Sequence, residues 1–307
     1  MVGPDSIFDF DYVEWDGSYN LPVVNAKDDV LLVCVSDPND PRWAEVHLHA
    51  ADKMDRLRLQ ASFTTKQKSG SRRGQLLTLN AGVVAGLGLK KPITRGQANK
   101  KSAEVVKELL DDHDFLRIAG HGSSAFATWQ PILYHSYADN KKDLCSHDRT
   151  LKWNFRNSIF AATAFNFGPH VVSLDHYDYE NRLDGFCAIT PLCPSDGRYD
   201  YKKGGHLILW DLRLVIEFPP GTTILLPSAI FCHSNVAIGP KERRFSFAQY
   251  SSGHLFQYVE QGYRTEEAFW ASLNSDEKAE AKARDKKRWR GAIANFTKLT
   301  SLTEIVP

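Results

Sequence analysis

Short β-rich runs that alternate with turns occupy the chain from about residue 155 to residue 251, and they constrain the fold more than any other feature. Glycine, proline, aspartate or asparagine separates nearly every pair of runs. Many short strands at regular spacing are typical of a β-sandwich or barrel. The predicted strands lie at 158–167, 170–174, 185–192, 204–212, 213–218, 222–228, 230–235 and 243–251. The length of 307 residues predicts roughly two domains, and one β-rich domain with added helices fits that length equally well.

Helical patterns flank this β-rich segment. Apolar residues at helical spacing predict one helix over 43–59 and a second over 102–112, with Ser102 as its N-cap. The charged stretch from 265 to about 296 predicts C-terminal helix. Residues 62–75 are predicted to form a basic loop rich in serine and glycine, and 112–155 a mixed helical region.

The composition excludes several classes of protein. The net charge is +1, so a nucleic-acid surface would have to come from local clusters of basic residues. No apolar run approaches the roughly 18–20 residues of a membrane span, and no secretory signal opens the chain, so no membrane partner is expected. The five cysteines include no CxxC pair, which argues against a disulfide framework and a structural zinc site. We therefore expect an intracellular, reducing compartment.

Two histidines and an aspartate have the spacing of a metal centre. His176 and Asp178 stand two residues apart at the end of one β-rich run, and His233 ends a later run. Two imidazoles and one carboxylate can bind one face of an octahedral Fe(II), leaving three positions that an oxygenase needs for a chelating co-substrate and for O2. A zinc hydrolase more often uses three histidines or an HExxH motif, and that motif is absent. His176, Asp178 and His233 are therefore the predicted iron ligands and catalytic centre.

The last predicted strand carries a candidate carboxylate-binding pair. Arg244 follows His233 by 11 residues, and strand alternation places Arg244 and Ser246 on one face and Arg243 on the other. An arginine beside a hydroxyl can bind a carboxylate through a forked ion pair and a hydrogen bond. This pair is expected to hold the distal carboxylate of 2-oxoglutarate. Tyr250 lies six residues beyond Arg244 on the same face and is expected to border the substrate cavity.

A family resemblance runs through four stretches: NSIFAATAFNFG, HYDYENRLDGFCAITPL, GGHLILWDLRLVIEFPPGTTILLPSA and RRFSFAQYSSG. They resemble the fungal TET/JBP-like Fe(II)- and 2-oxoglutarate-dependent dioxygenases, strongly from about 115 to 265 and more weakly from about 15 to 110. The resemblance implies an α+β chain with a double-stranded β-helix (jelly-roll) core, and it places Asn166 against the co-substrate. It divides the chain into an N-terminal helical and basic-loop region packed on the core (1–114), the dioxygenase core (115–264) and a C-terminal helical extension (265–307).

The same resemblance implies the substrate. Related enzymes oxidise methyl groups on DNA bases, and a methyl group inside a duplex reaches an enzyme's iron only if its base is flipped out. 5-Methylcytosine in duplex DNA is the first expected substrate and N6-methyladenine the second. The same chemistry on RNA or a protein side chain, or a non-catalytic DNA-binding relic, are the alternatives. The expected role is DNA demethylation, and the expected location is the nucleus.

Three further residues are predicted to contact DNA. Members of the family place an acidic residue shortly after the metal-binding aspartate to read the target base, and Glu180 and Asn181 occupy that place here. Asn181 is thus a candidate contact of the base. In the basic loop, Arg72 and Arg73 are expected to reach phosphates, which position a protein on DNA without reading its sequence.

Overall fold

The computed structural model describes residues 8–70, 73–74 and 76–303, without the side chains of 285–290 and 303. The strands of these residues are β1 Asp11–Val13, β2 Leu21–Val24, β3 Val30–Val35, β4 Leu77–Val84, β5 Ile93–Thr94, β6 Ala162–Phe167, β7 Cys187–Leu192, β8 Leu207–Leu209, β9 Leu214–Ile216, β10 Thr223–Leu226, β11 His233–Asn235 and β12 Phe245–Tyr250. The helices are α1 Trp43–Arg58, α2 Thr65–Lys68, α3 Lys100–Leu110, α4 His113–Trp129, α5 Pro131–His147, α6 Gly253–Glu260, α7 Glu266–Ser272, α8 Ser275–Gly291 and α9 Leu299–Thr303, with a 3₁₀ turn at Ile293–Asn295.

Two sheets form the core. The larger has the order β2-β3-β10-β7-β12-β6-β4-β5, and the smaller has the order β1-β9-β8-β11. From β6 onwards the chain passes back and forth between the sheets: β7 lies in the large sheet, β8 and β9 in the small one, β10 in the large one, β11 in the small one and β12 in the large one. Antiparallel strands exchanged in this way between two sheets make a jelly roll. The expected double-stranded β-helix in an α+β chain is confirmed.

Seven of the eight predicted strands are present, as β6 to β12. The exception is 170–174, which forms no strand. The segment and its continuation instead make isolated pairings with β11: Asn235 N–H donates to the Ser173 carbonyl at 3.0 Å, and His176 pairs with His233. These isolated pairings do not form the continuous ladder of backbone hydrogen bonds that a strand over 170–174 would make.

The N-terminal residues contribute to the same large sheet. Strands β2 and β3 extend it beyond β10, and β4 and β5 extend it beyond β6. At the other end of the chain, Phe296 packs in the core and the Thr297 N–H donates to Oε1 of the buried Gln130 at 2.9 Å. The division of the chain at 114 and 264 stays a prediction, because both flanking regions pair with or pack on the central strands.

Helices cover the outer face of the large sheet. The helix predicted over 43–59 is confirmed as α1, which packs with α3 and α4 on a cluster that includes Phe165, Phe245 and Phe247. The predicted N-cap Ser102 is wrong: α3 begins two residues earlier, and Asn99 caps it by accepting a bond from the Ser102 N–H at 2.9 Å. Side chains alternate along a strand, so Ser246, which lies between Phe245 and Phe247 in β12, faces the space between the two sheets. In the part of the chain that is described, no helix is long and apolar enough to cross a membrane.

Phe247 should be a sensitive measure of this packing. Its side chain is 1% exposed, and its ring meets those of Phe115, Phe155 and Phe165 at centroid distances of 5.2 to 5.9 Å. We expect Phe247→Ala to lower the free energy of unfolding by about 3–5 kcal/mol, because a buried ring is replaced by a cavity. Urea denaturation measures the loss. Leu59→Ala, at a position that is 77% exposed, should change stability by less than about 0.5 kcal/mol.

Candidate active site

The backbone brings the three predicted iron ligands together. His176 N–H donates to the His233 carbonyl at 3.1 Å, and His233 N–H donates back to the His176 carbonyl at 3.0 Å. Asp178 N–H donates to the Ser228 carbonyl, just beyond the end of β10, at 2.9 Å. The two histidines are therefore direct neighbours across a strand pair, and the turn after His176 returns Asp178 to the same place. The site depends on the meeting of both sheets.

The side chains converge with the geometry of a metal centre. The potential ligand atoms of His176, Asp178 and His233 all lie within 4.8 Å of one another. Nε2 of His176 is 3.6 Å from Asp178 Oδ1, and Nε2 of His233 is 4.0 Å from Asp178 Oδ2. The Nδ1–H groups donate outward, from His176 to the Leu174 carbonyl at 2.7 Å and from His233 to the Phe231 carbonyl at 3.0 Å. These bonds fix the tautomer in which both Nε2 lone pairs point at the centre.

Burial keeps both imidazoles in the form that binds metals. It lowers the pKa of His176 to about 4, and the neighbouring imidazole of His233 acts in the same direction. Burial also lowers the pKa of His233, although the Asp178 carboxylate opposes the shift. A histidine must be neutral to coordinate a metal. The cluster thus presents two neutral nitrogens and one carboxylate, which fits the donor set of non-haem Fe(II).

Arg73 reaches this centre from the basic loop. Its Nη2 lies 2.6 Å from Asp178 Oδ1. Arg73 thus lies at the candidate metal site, and the contact that it makes there is with a predicted metal ligand. Arg72 lies outside the described residues. Phosphate binding by Arg72 and Arg73 stays a prediction.

The pair predicted to hold 2-oxoglutarate lies between the sheets. Arg244 is 1% exposed, and its Nη1 donates to the Val171 carbonyl at 2.6 Å. The rings of Tyr199 and Phe218 lie 5.8 and 5.7 Å from the guanidinium carbon. Nε is buried without a hydrogen-bond partner, and no carboxylate of the described chain forms an ion pair with this residue. A buried cation without a counter-ion is costly, so the site fits an anionic ligand.

Ser246 and Asn166 complete this corner. The Asn166 Nδ2 donates to Ser246 Oγ at 2.9 Å, and Asn166 Oδ1 accepts from the Thr78 hydroxyl at 2.8 Å. Asn166 and Ser246 are direct partners across β6 and β12. The chain of bonds turns the lone pair of Ser246 toward Asn166 and leaves its hydroxyl hydrogen to donate to a ligand. Their roles toward the co-substrate stay predictions.

Arg243 faces away from the pocket. It forms ion pairs with Asp55, and with Asp196 at 2.6 Å, at the outer surface. The structure therefore separates the two adjacent arginines as strand alternation predicts: Arg244 points inward and Arg243 outward.

The predicted substrate residues lie close to the centre in different ways. Tyr250 donates to Asn80 Oδ1 at 3.3 Å, and burial raises its pKa to about 12, with the charges of Asp178 and Arg73 among the lesser influences. Asn181 instead donates to Ser228 Oγ at 3.1 Å and to the Cys187 sulfur, and so fixes the turn after Asp178. Contact of either residue with a base stays a prediction.

Several contributors carried no signal in the sequence. Thr78, Val171, Tyr199 and Phe218 surround the Arg244 corner, yet they come from four separate parts of the chain. No motif spacing connects them, because they meet only once both sheets are assembled. His206, which is a tempting ligand by type, lies elsewhere: its Nε2 is 3.3 Å from the Tyr12 hydroxyl, which donates to Glu217.

The fold is a double-stranded β-helix, and its site has the donor set of a two-histidine, one-carboxylate metal centre. A solved structure of NgTET1 in complex with 5mC DNA has this fold: the TM-score is 0.53 with 12% identity, over 80% of this chain and 83% of that one. A 2OG-Fe(II) oxygenase family oxidoreductase from Burkholderia pseudomallei aligns with a TM-score of 0.35 and 16% identity, over 66% and 78% of the two chains. The scan against protein-family models gives no match, and neither does the search of curated proteins.

Proposed function

We propose that this chain is an Fe(II)- and 2-oxoglutarate-dependent dioxygenase that oxidises a methyl group on a DNA base. One observation carries the proposal: a cluster of two neutral histidines and one carboxylate follows closely in the chain on Val171, whose carbonyl accepts a hydrogen bond from Arg244, a buried arginine for which the described residues provide no counter-ion. A metal site alone would fit many proteins. A metal site beside an anion site is what a reaction with a chelating dicarboxylate co-substrate requires.

The residues have distinct tasks in this proposal. Bound Fe(II) supplies the oxidising chemistry, in which one methyl C–H, O2 and 2-oxoglutarate become an alcohol, succinate and CO2. His176, Asp178 and His233 hold the metal, and the carbonyls behind the two imidazoles keep their Nε2 atoms directed at it. Arg244 and Ser246 bind the distal carboxylate of the co-substrate and so fix its orientation. Asn166 orients the Ser246 hydroxyl.

The identity of the substrate is supported less directly than the chemistry. The resemblance to TET/JBP-like dioxygenases and the fold shared with NgTET1, which was solved in complex with 5mC DNA, favour a methylated base in duplex DNA. We take 5-methylcytosine first and N6-methyladenine second, with RNA or a protein side chain as the other candidates. A nuclear site of action follows from a DNA substrate and stays part of the proposal.

Succinate formation tests the proposal directly. The protein, loaded with Fe(II) under anaerobic conditions, is given 2-oxoglutarate and O2 with one of four substrates. These are a 5-methylcytosine duplex, an N6-methyladenine duplex, the unmethylated duplex and a lysine-rich peptide. We expect succinate and an oxidised base only with a methylated duplex. Stimulation by the peptide alone, or none by any DNA, would overturn the DNA assignment, and no succinate under any condition would favour the relic.

Tyr250 should affect the DNA substrate more than the cofactors. We expect Tyr250→Ala to lower kcat/KM on methylated duplex by about tenfold, since stacking of a base on an aromatic ring contributes roughly 1–3 kcal/mol. The affinities for metal and 2-oxoglutarate should stay within about twofold of wild type. Tyr250→Phe, which keeps the ring and loses only the bond to Asn80, is expected to retain most of the activity. An equal loss in both variants would assign the effect to the hydroxyl.

A further inference from the structure

The hairpin between β4 and β5 ends in an exposed apolar tip, which we define as residues 86–89. Leu87 at its apex is 77% exposed, whereas Leu89 on its far side is 37% exposed. The backbone of Leu87 has φ of 53°, the left-handed region that non-glycine side chains rarely adopt, and Gly86 and Gly88 on either side have φ of 83° and 81°. A strained backbone that holds a large apolar side chain in water costs free energy twice, and such costs cluster at functional sites.

This tip lies beside the candidate active site. Gly86 packs directly on the imidazole of His254, so closely that a Cβ atom at Gly86 would lie 2.3 Å from the ring. Nε2 of His254 is 3.2 Å from the carboxylate of Glu180, two residues after Asp178. β4 also bears Asn80, the partner of Tyr250. The hairpin thus projects from the end of the large sheet at which the turn after Asp178 is anchored.

The surroundings of the tip carry positive charge. Lys90, Lys91, Arg95 and Lys152 are all exposed, and Lys152 joins the hairpin through a bond from its N–H to Thr94 Oγ1 at 2.9 Å. Asp148 pairs with Lys91 at 2.8 Å and Glu180 with His254, so Lys90, Arg95 and Lys152 are the described cations that remain for phosphates. An apolar apex within a basic margin suits a duplex, whose phosphates meet the cations while its stacked bases accept an apolar wedge.

We propose that Leu87 is the wedge that enters the base stack and fills the gap left by a flipped base. This inference rests on the proposed function and deepens it, because it assigns duplex opening to a specific side chain. The strained tip holds Leu87 exposed, and apart from its two chain neighbours no described residue places a heavy atom within 4 Å of where a Cβ of Gly88 would lie, so the apex is open on that side. Base flipping costs unstacking free energy, which a filled gap offsets. Single-stranded DNA has no duplex to open, so a methylated base in it needs no wedge to reach the active site.

The test compares duplex and single-stranded substrate carrying the same methylated base. Leu87→Asn keeps a residue that tolerates the left-handed backbone and removes the apolar wedge. We expect turnover of the duplex to fall by about tenfold and that of the single strand to change by less than about twofold, because only the duplex must be opened. Leu87→Met, which retains apolar bulk, should keep duplex turnover. Leu59→Asn is the matched control at an equally exposed leucine, and it should change neither rate.

A second readout follows the opening itself. 2-Aminopurine placed next to the methylated base brightens when its neighbour leaves the stack, and the increase on adding wild-type protein should be lost in Leu87→Asn. If Leu87→Asn matches wild type on duplex, or loses both substrates equally, the wedge is wrong while the proposed function stands. If wild-type protein turns over no methylated DNA in either form, the proposed function fails and the wedge fails with it.

Discussion

Replacing His233 by alanine is expected to abolish metal binding and turnover together. His233 supplies one of three ligand atoms, its backbone pairs with His176, and among the described residues no fourth side chain joins this cluster to replace its Nε2. The loss should exceed the about 10- to 100-fold reduction in metal affinity that follows removal of a residue that merely supports a ligand. Titration with Mn(II), a redox-stable substitute for Fe(II), measures the affinity, and succinate formation measures the turnover.

A matched histidine separates ligation from folding. The His121 Nε2 lies 3.0 Å from the Ser36 carbonyl, far along the chain from the cluster, and burial lowers its pKa as it does that of His233. His121→Gln should therefore keep wild-type Mn(II) affinity. Asp178→Asn gives a second test, since it keeps the shape of the side chain and removes the charge. Full Mn(II) affinity in His233→Ala would overturn the assignment of the metal centre.

The parts of the fold that follow a two-residue period could be predicted from the sequence. In β12 the phenylalanines at 245 and 247 face the helices, and Arg244 and Ser246 face the pocket, so one alternation fixes both packing and site. The HxD spacing needs only one turn to bring His176 and Asp178 together. His233 was predicted as a ligand from its place near a strand terminus, and the structure places it at the start of β11 and not at the end of a strand.

Other parts depend on contacts between distant segments. The apolar residues at 30–35 predict a strand, but they do not indicate its partner. That partner is β10, almost two hundred residues later in the chain. The region 112–155 gave no clear prediction because α4 and α5 are buried on broad faces, where a single apolar stripe is hard to find. The composition around Arg73 indicates a basic loop. The contact of Arg73 with Asp178 depends on the position of that loop in the folded chain, which composition does not predict.

The strongest test of the co-substrate site is Arg244→Met. Methionine fills much of the same volume and removes the positive charge, and replacing a buried charge by an apolar group often leaves stability unchanged or raises it. We expect the variant to fold as stably as wild type in the absence of ligand. Its 2-oxoglutarate affinity should fall by about 100-fold, because removing one partner of a buried charged contact costs roughly 2–5 kcal/mol. A structural role would instead lower stability without ligand.

Thermal unfolding of Mn(II)-loaded protein with increasing 2-oxoglutarate measures both quantities at once. Wild type should gain stability as ligand is added, by about 2.7 kcal/mol at a hundred times Kd, whereas Arg244→Met should gain almost none over the same range. Arg243→Met is the matched control on the adjacent residue. It loses ion pairs with Asp55 and Asp196 at the outer surface and should show the wild-type response to 2-oxoglutarate. Equal loss of response in both variants would mean that the two faces of β12 are not distinct, and the anion site would then have to lie elsewhere.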